Sequence, residues 1–163
     1  MTGIEMVEQI GKMNITGNVT PPIWFKRITF DSGKPNSTAV LILSDIVYWY
    51  RPTEIRDEHT GLLKGFKKKF KGDMLQRNYA AFSEQYGFTK RQVKDAMDVL
   101  VKMGLVIREF RTVTAGETKL YNVMYLGLNP DRLLALTFGD LPDKYEEFVD
   151  NEDRKSTRLN SSH

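Results

Sequence analysis

The sequence predicts an α+β fold, mainly α, and three observations carry that prediction. Residues 79–103 (YAAFSEQYGFTKRQVKDAMDVLVKM) split at Gly87 into two stretches of helical spacing, and glycine is the residue that best takes the left-handed stop of a helix. Thr89 followed three positions later by Gln92 forms a capping box for the second stretch. Beyond Gly104, residues 105–111 (LVIREFR) and 118–126 (TKLYNVMYL) alternate as strands around a turn at 112–117 (TVTAGE). Helix, helix, hairpin is the order of a winged helix-turn-helix.

Composition bounds the rest. The chain has 163 residues, 40% hydrophobic and 28% charged, enough for one domain with a real core. The longest apolar-rich run, residues 39–50, falls short of the roughly 20 residues that a bilayer helix needs and contains Ser44 and Asp45. With Glu5 and Glu8 near its start, the N-terminus does not read as a signal peptide. The absence of cysteine removes disulfides and thiolate metal sites and fits a cytoplasmic setting.

The last eleven residues, 153–163 (DRKSTRLNSSH), resemble the translation of a common sequencing adapter at all eleven positions. They are expected to be an artefact and are set aside from fold reasoning, which implies a natural reading frame that continues past Glu152. A natural polar tail would equally lack structure. Without them 24 basic and 21 acidic residues become 21 and 20, so the net charge falls from +3 to +1 and most of the basic balance is borrowed.

Residues 1–22 read as an N-terminal extension with a weak helical pattern at Ile4, Val7 and Ile10, ending in the extended pair Pro21-Pro22. The winged domain is expected over 23–137. Residues 24–30 alternate as a short strand, and Asn36 or Ser37 caps a helix running from Thr38 to Tyr50. Two apolar stripes on that helix ask for burial on most of its circumference, as a central helix or as a homodimer face. Arg51-Pro52 ends it.

Residues 53–72 are a polar excursion, hairpin or loop, in which Lys68, Lys69 and Lys71 lie among Phe66 and Phe70. They are either a backbone-phosphate track or a solvated surface. An extended segment around Leu75 follows. Asn129-Pro130 opens a last helix from Asp131 to Leu136, and residues 138–152 read as an acidic linker to a missing C-terminal region.

Four stretches carry a family resemblance: GNVTPPIWFKRI (17–28), SGKPNSTAVLILSDIVYWYRP (32–52), KFKGDMLQRNYAAFSEQYGFTKRQVKDAMDVL (69–100) and GLVIREF (104–110). They resemble the winged-helix N-terminal region of replication proteins from phages, plasmids and integrative elements. The resemblance implies binding to origin or other double-stranded DNA, with helicase-loading partners for a C-terminal region beyond Glu152.

The DNA-contacting candidates lie at the start of the second helix. Its free amides and positive dipole end suit a phosphate. Thr89 and Lys90 open it; Arg91 can grip guanine O6 and N7, Gln92 can read adenine unless the capping box holds it, and Lys94 can hold a phosphate. On the hairpin, Arg111, Thr112 and Lys119 rank above Arg108, since alternation sets Arg111 and Lys119 near the tip. Ordinary solvated charge explains the same residues.

An enzyme is not expected, nor is a cofactor. Without the tail His59 is the only histidine, which excludes two-histidine metal motifs, and no Gly-Lys-Ser/Thr loop is present to cradle a nucleotide. The adjacent Glu146 and Glu147 point apart on a helix. Two alternatives stay open: a winged-helix transcriptional regulator, and a non-catalytic winged helix that binds protein.

Overall fold

The computed structural model describes residues 1–139. Its core is built on helix α3 (Ser37–Tyr50), the third of the chain after α1 (Gly3–Gly11) and α2 (Pro22–Arg27). The Asn36 side chain accepts from the Ala39 amide and caps α3. Ala39, Val40, Ile42, Leu43 and Ile46 are fully buried; each large aliphatic among them contributes about 1.5–3 kcal/mol. Both stripes are thus covered mainly by the chain itself, as a central helix requires, with Val47, Trp49 and Tyr50 only partly buried.

Residues 24–27 are helical and not a strand, with Ile28 as the extended cap, which corrects the expected alternation. Pro22 takes the first helical position, where its fixed φ and missing amide cost nothing. Trp24 and Ile28, four residues apart, are then buried on one side. A short apolar run does not separate period two from period 3.6, and the pair at i and i+4 decides it. Only an isolated bridge between Thr29 and Pro35 remains of the expected strand. Contacts to the domain begin before residue 23: Asn18 donates to the Tyr86 hydroxyl at 2.9 Å, and Ser44 donates to the Val19 carbonyl at 2.7 Å.

The polar excursion resolves as an exposed antiparallel hairpin, β1 (Thr53–Arg56) with β2 (Leu63–Lys67). The other sheet contains β3 (Leu75–Gln76), β4 (Val106–Ala115) and β5 (Thr118–Leu128) in the order β3-β5-β4, with both pairings antiparallel. Between β3 and β4 lie α4 (Tyr79–Tyr86) and α5 (Lys90–Lys102), and α6 (Pro130–Phe138) closes the described chain.

Gly87, at φ 78, makes the left-handed stop of α4. At the end of α5 the Leu105 amide donates to the Leu100 carbonyl and the Gly104 amide to Val101, a double closure that needs Gly104 at its φ of 75. These two turns set α4 and α5 against α3, burying Phe82, Val93, Ala96, Met97 and Leu100.

Leu105 and Ile107, and with them Phe110, are expected inward; the strand takes the other phase. Leu105 belongs to the glycine turn, so β4 starts at Val106, which is buried, while Ile107 and Phe110 are 49% and 52% exposed. One residue of offset exchanges the two faces of a strand. The turn is also shorter than TVTAGE: residues 112–115 remain in β4 and only Gly116 and Glu117 turn the chain. The expected acidic linker lies outside the described residues from position 140 on, as does the adapter-like segment 153–163. No helix among the described residues is long and apolar enough to cross a membrane.

Candidate nucleic-acid interface

The start of α5 is built by its cap. The Thr89 hydroxyl accepts from the Gln92 amide at 3.0 Å, and the Gln92 carbonyl oxygen accepts from the Thr89 amide at 2.9 Å. Both side chains therefore serve the helix terminus, which leaves Gln92 only its amide NH2 for a ligand and takes the Thr89 hydroxyl oxygen out of base reading.

The cations of α5 stand outward on the following turns. Lys90 is exposed, with no side-chain partner among the described residues. Arg91 is 3.3 Å from Asp95 and Lys94 is 2.9 Å from Asp98, both i,i+4 pairs open to solvent. Such pairs contribute only about 0.3–0.5 kcal/mol, so a phosphate can displace them.

Arg108 is half-buried. It donates to Asp98 at 2.6 Å and to the Tyr79 hydroxyl at 3.0 Å, and so ties β4 to α5 and to the first turn of α4. The carboxylate of Asp98 is held below its usual pKa by Lys94 and Arg108, against the opposing effect of burial. Charge on this surface comes to four cations (Lys90, Arg91, Lys94, Arg108) against two carboxylates (Asp95, Asp98), a local excess of positive charge.

Arg111 is not at the hairpin tip. It faces Val123 across the ladder, well short of Gly116, on the strand face that alternates away from Arg108. It makes two parallel bonds to Asp73 at 2.9 and 2.8 Å, a third to Glu109 at 3.0 Å, and stacks 4.3 Å from the Tyr125 ring centroid. Hydrogen bonding to Asp73 and Glu109 raises the pKa of Arg111, while Arg111 pulls Asp73 down to about 2. Strand parity thus turns this expected DNA contact into a structural clamp. Lys119 does lie near the tip, opposite Thr114, and Thr112 is exposed beside an irregularity in the pairing.

The lysines before β3 divide. Lys69 donates to the Tyr48 carbonyl at 3.0 Å, and its ammonium lies 4.0 Å from the Tyr48 ring centroid, so it serves the end of α3. Lys68 donates to the Gly72 carbonyl and lies 4.9 Å from the Phe70 ring centroid. Lys71 is exposed with no partner among the described residues.

A buried network behind the turn was not among the expected features. Asp45 is 2% exposed; it accepts from the Tyr86 hydroxyl at 2.6 Å and from Arg77 Nη2 at 3.3 Å, and its other oxygen lies 2.9 Å from Arg77 Nε in a contact of charge without hydrogen-bond alignment. Burial and the Asp45 carboxylate push the Tyr86 hydroxyl up to about 12. The one signal available was an aspartate in the most apolar helix of the chain.

Comparison with protein-family models, curated proteins and solved structures yields no match.

Proposed function

We propose that this chain is a winged-helix domain that binds double-stranded DNA without catalysis, working in the cytoplasm at the front of a replication protein of a phage or other mobile element. One observation carries the reading. The order α3, β3, α4, α5, β4, β5, with the sheet arranged β3-β5-β4, supports a winged-helix reading, and the second helix of the pair opens on the exposed Lys90, Arg91 and Lys94. Replication, as opposed to transcription, rests on the family resemblance of the sequence alone, and so do helicase-loading partners.

In this reading α5 enters the major groove. Its first amides and Lys90 hold a phosphate, Arg91 releases Asp95 to grip a guanine, and Lys94 exchanges Asp98 for the backbone. The hairpin lies along the flanking backbone with Lys119 and Thr112, while Arg108 and Arg111 keep it stiff. Binding of labelled duplexes at several salt concentrations tests this. Contact with about five phosphates predicts log K falling with log salt at a slope of about −4 to −5, and no binding to any duplex at low salt overturns it.

The acidic partners Asp95 and Asp98 favour one second reading, a winged helix that binds protein. There Arg91→Ala leaves function intact, whereas the DNA reading requires weaker or less selective binding.

A further inference from the structure

Two apolar surfaces lack a partner among the described residues. Helix α1 opens with a complete capping box on Thr2 and Glu5, yet it buries none of its residues. Ile4, Val7 and Ile10 are 73%, 72% and 55% exposed, on the side away from Glu5 and Gln9. A nine-residue helix is marginal alone in water, because isolated helices shorter than about 12–15 residues do not repay nucleation. Its stripe therefore asks for cover.

The second surface is an open apolar groove of about 460 Å³ bounded by α2, α3 and α6, with Trp24, Val47, Leu133 and Leu134 in its wall. Leu134 is 61% exposed. The one charged residue lining the groove is Arg51, whose side chain has no hydrogen bond or ion pair among the described residues.

We propose that the groove of each chain receives helix α1 of a second copy, so that two copies exchange N-terminal helices. The apolar stripe supplies the fill. Glu8, beside Ile4 on the helical wheel, supplies the carboxylate for Arg51. Residues 12–17 form a tether of at most about 20 Å between α1 and the anchored Asn18; short hinges of this kind favour exchange between protomers. Among the described residues of one chain α1 stays uncovered. Exchange uses each helix and each groove once, so the assembly closes at two copies and leaves no sticky face. A specific interface needs roughly 1,000 Å² of total buried surface, and two symmetric helix-in-groove contacts bury twice what one does.

The test is sedimentation equilibrium of the full 163-residue chain across a micromolar range. Expected are a concentration-dependent dimer and at least a tenfold weakening in Ile4→Asp/Val7→Asp and, separately, in Leu134→Asp. All three positions are exposed, so the fold survives, as thermal melts will verify. Mixing the two variants restores one contact per pair and gives a heterodimer tighter than either variant alone. Glu8→Arg and Arg51→Glu each weaken the dimer several-fold, and the double variant recovers it. A monomer at every concentration, including one whose α1 docks in its own groove, overturns the proposal. So does a dimer that Leu134→Asp and Arg51→Glu leave unweakened.

Discussion

Replacing Asp45 by alanine removes the centre of the network that holds α4 against α3. The carboxylate is 2% exposed and is shared between Arg77, at 2.9 Å, and the Tyr86 hydroxyl, at 2.6 Å. Its loss strands a guanidinium that cannot turn freely to water, because Arg77 lies 4.5 Å from the Phe82 ring centroid and its side chain is only 13% exposed. Breaking a buried pair from one side costs about 3–5 kcal/mol. Arg77 keeps a bond to Gln85, which places the expected loss near the lower end, about 3 kcal/mol. That is a large share of the roughly 5–15 kcal/mol that a domain has in total, and it lowers the melting temperature by about 6–12 °C. Urea unfolding followed by circular dichroism reads it directly. Asp95→Ala is the control, since its exposed pair with Arg91 contributes about 0.3–0.5 kcal/mol. Asp45→Asn combined with Arg77→Met is expected to cost less than the sum of the two single changes. The Tyr86 hydroxyl, freed of the carboxylate, is expected to titrate below its value of about 12. An Asp45→Ala variant that loses less than about 1 kcal/mol, like the control, refutes the reasoning.

Three further outcomes are expected. Arg111→Met returns Asp73 from about 2 toward the ordinary 3.8, readable by NMR titration; because the folded pKa is depressed, the pair's stabilisation is present above about pH 4 and lost as pH falls toward 2. Gly87→Ala costs about 1–2 kcal/mol in urea unfolding, because a side chain at φ 78 meets the left-handed penalty, and Thr89→Ala costs about 0.5–2 kcal/mol through loss of the cap. In salt titrations of duplex binding, Lys69→Ala leaves the slope unchanged, since its ammonium is bound to the end of α3, whereas Lys119→Ala lowers it by about one contact.

What the residues disclosed in advance was local. The Thr89 capping box, the stops at Gly87 and Gly104, and the doubly apolar helix ending before Pro52 each depend on neighbours within four positions, and each stands where the pattern placed it. What stayed hidden depends on contacts far along the chain. The helical state of Trp24 follows from its packing on the core and its bond to Thr137, 113 positions away. The strand phase after Gly104 follows from how the glycine turn uses Leu105, and the pairing of Arg111 follows from Asp73, 38 positions earlier in the chain. Lys69 looked like its neighbours Lys68 and Lys71 until the Tyr48 carbonyl separated them. Charge type was visible in the sequence, but which charges are already occupied was not.

The exposed start of α5 is the proposed DNA-contacting surface. It is tested most directly by comparing the wild type with Lys90→Ala and Arg91→Ala in duplex binding across a salt series. The account predicts that Lys90→Ala lowers the salt slope by about 1 for every sequence tested. Arg91→Ala is expected to lose about 1–3 kcal/mol of preference for the favoured duplex. Unchanged affinity, slope and preference in both variants, in proteins that melt like the wild type, would contradict it.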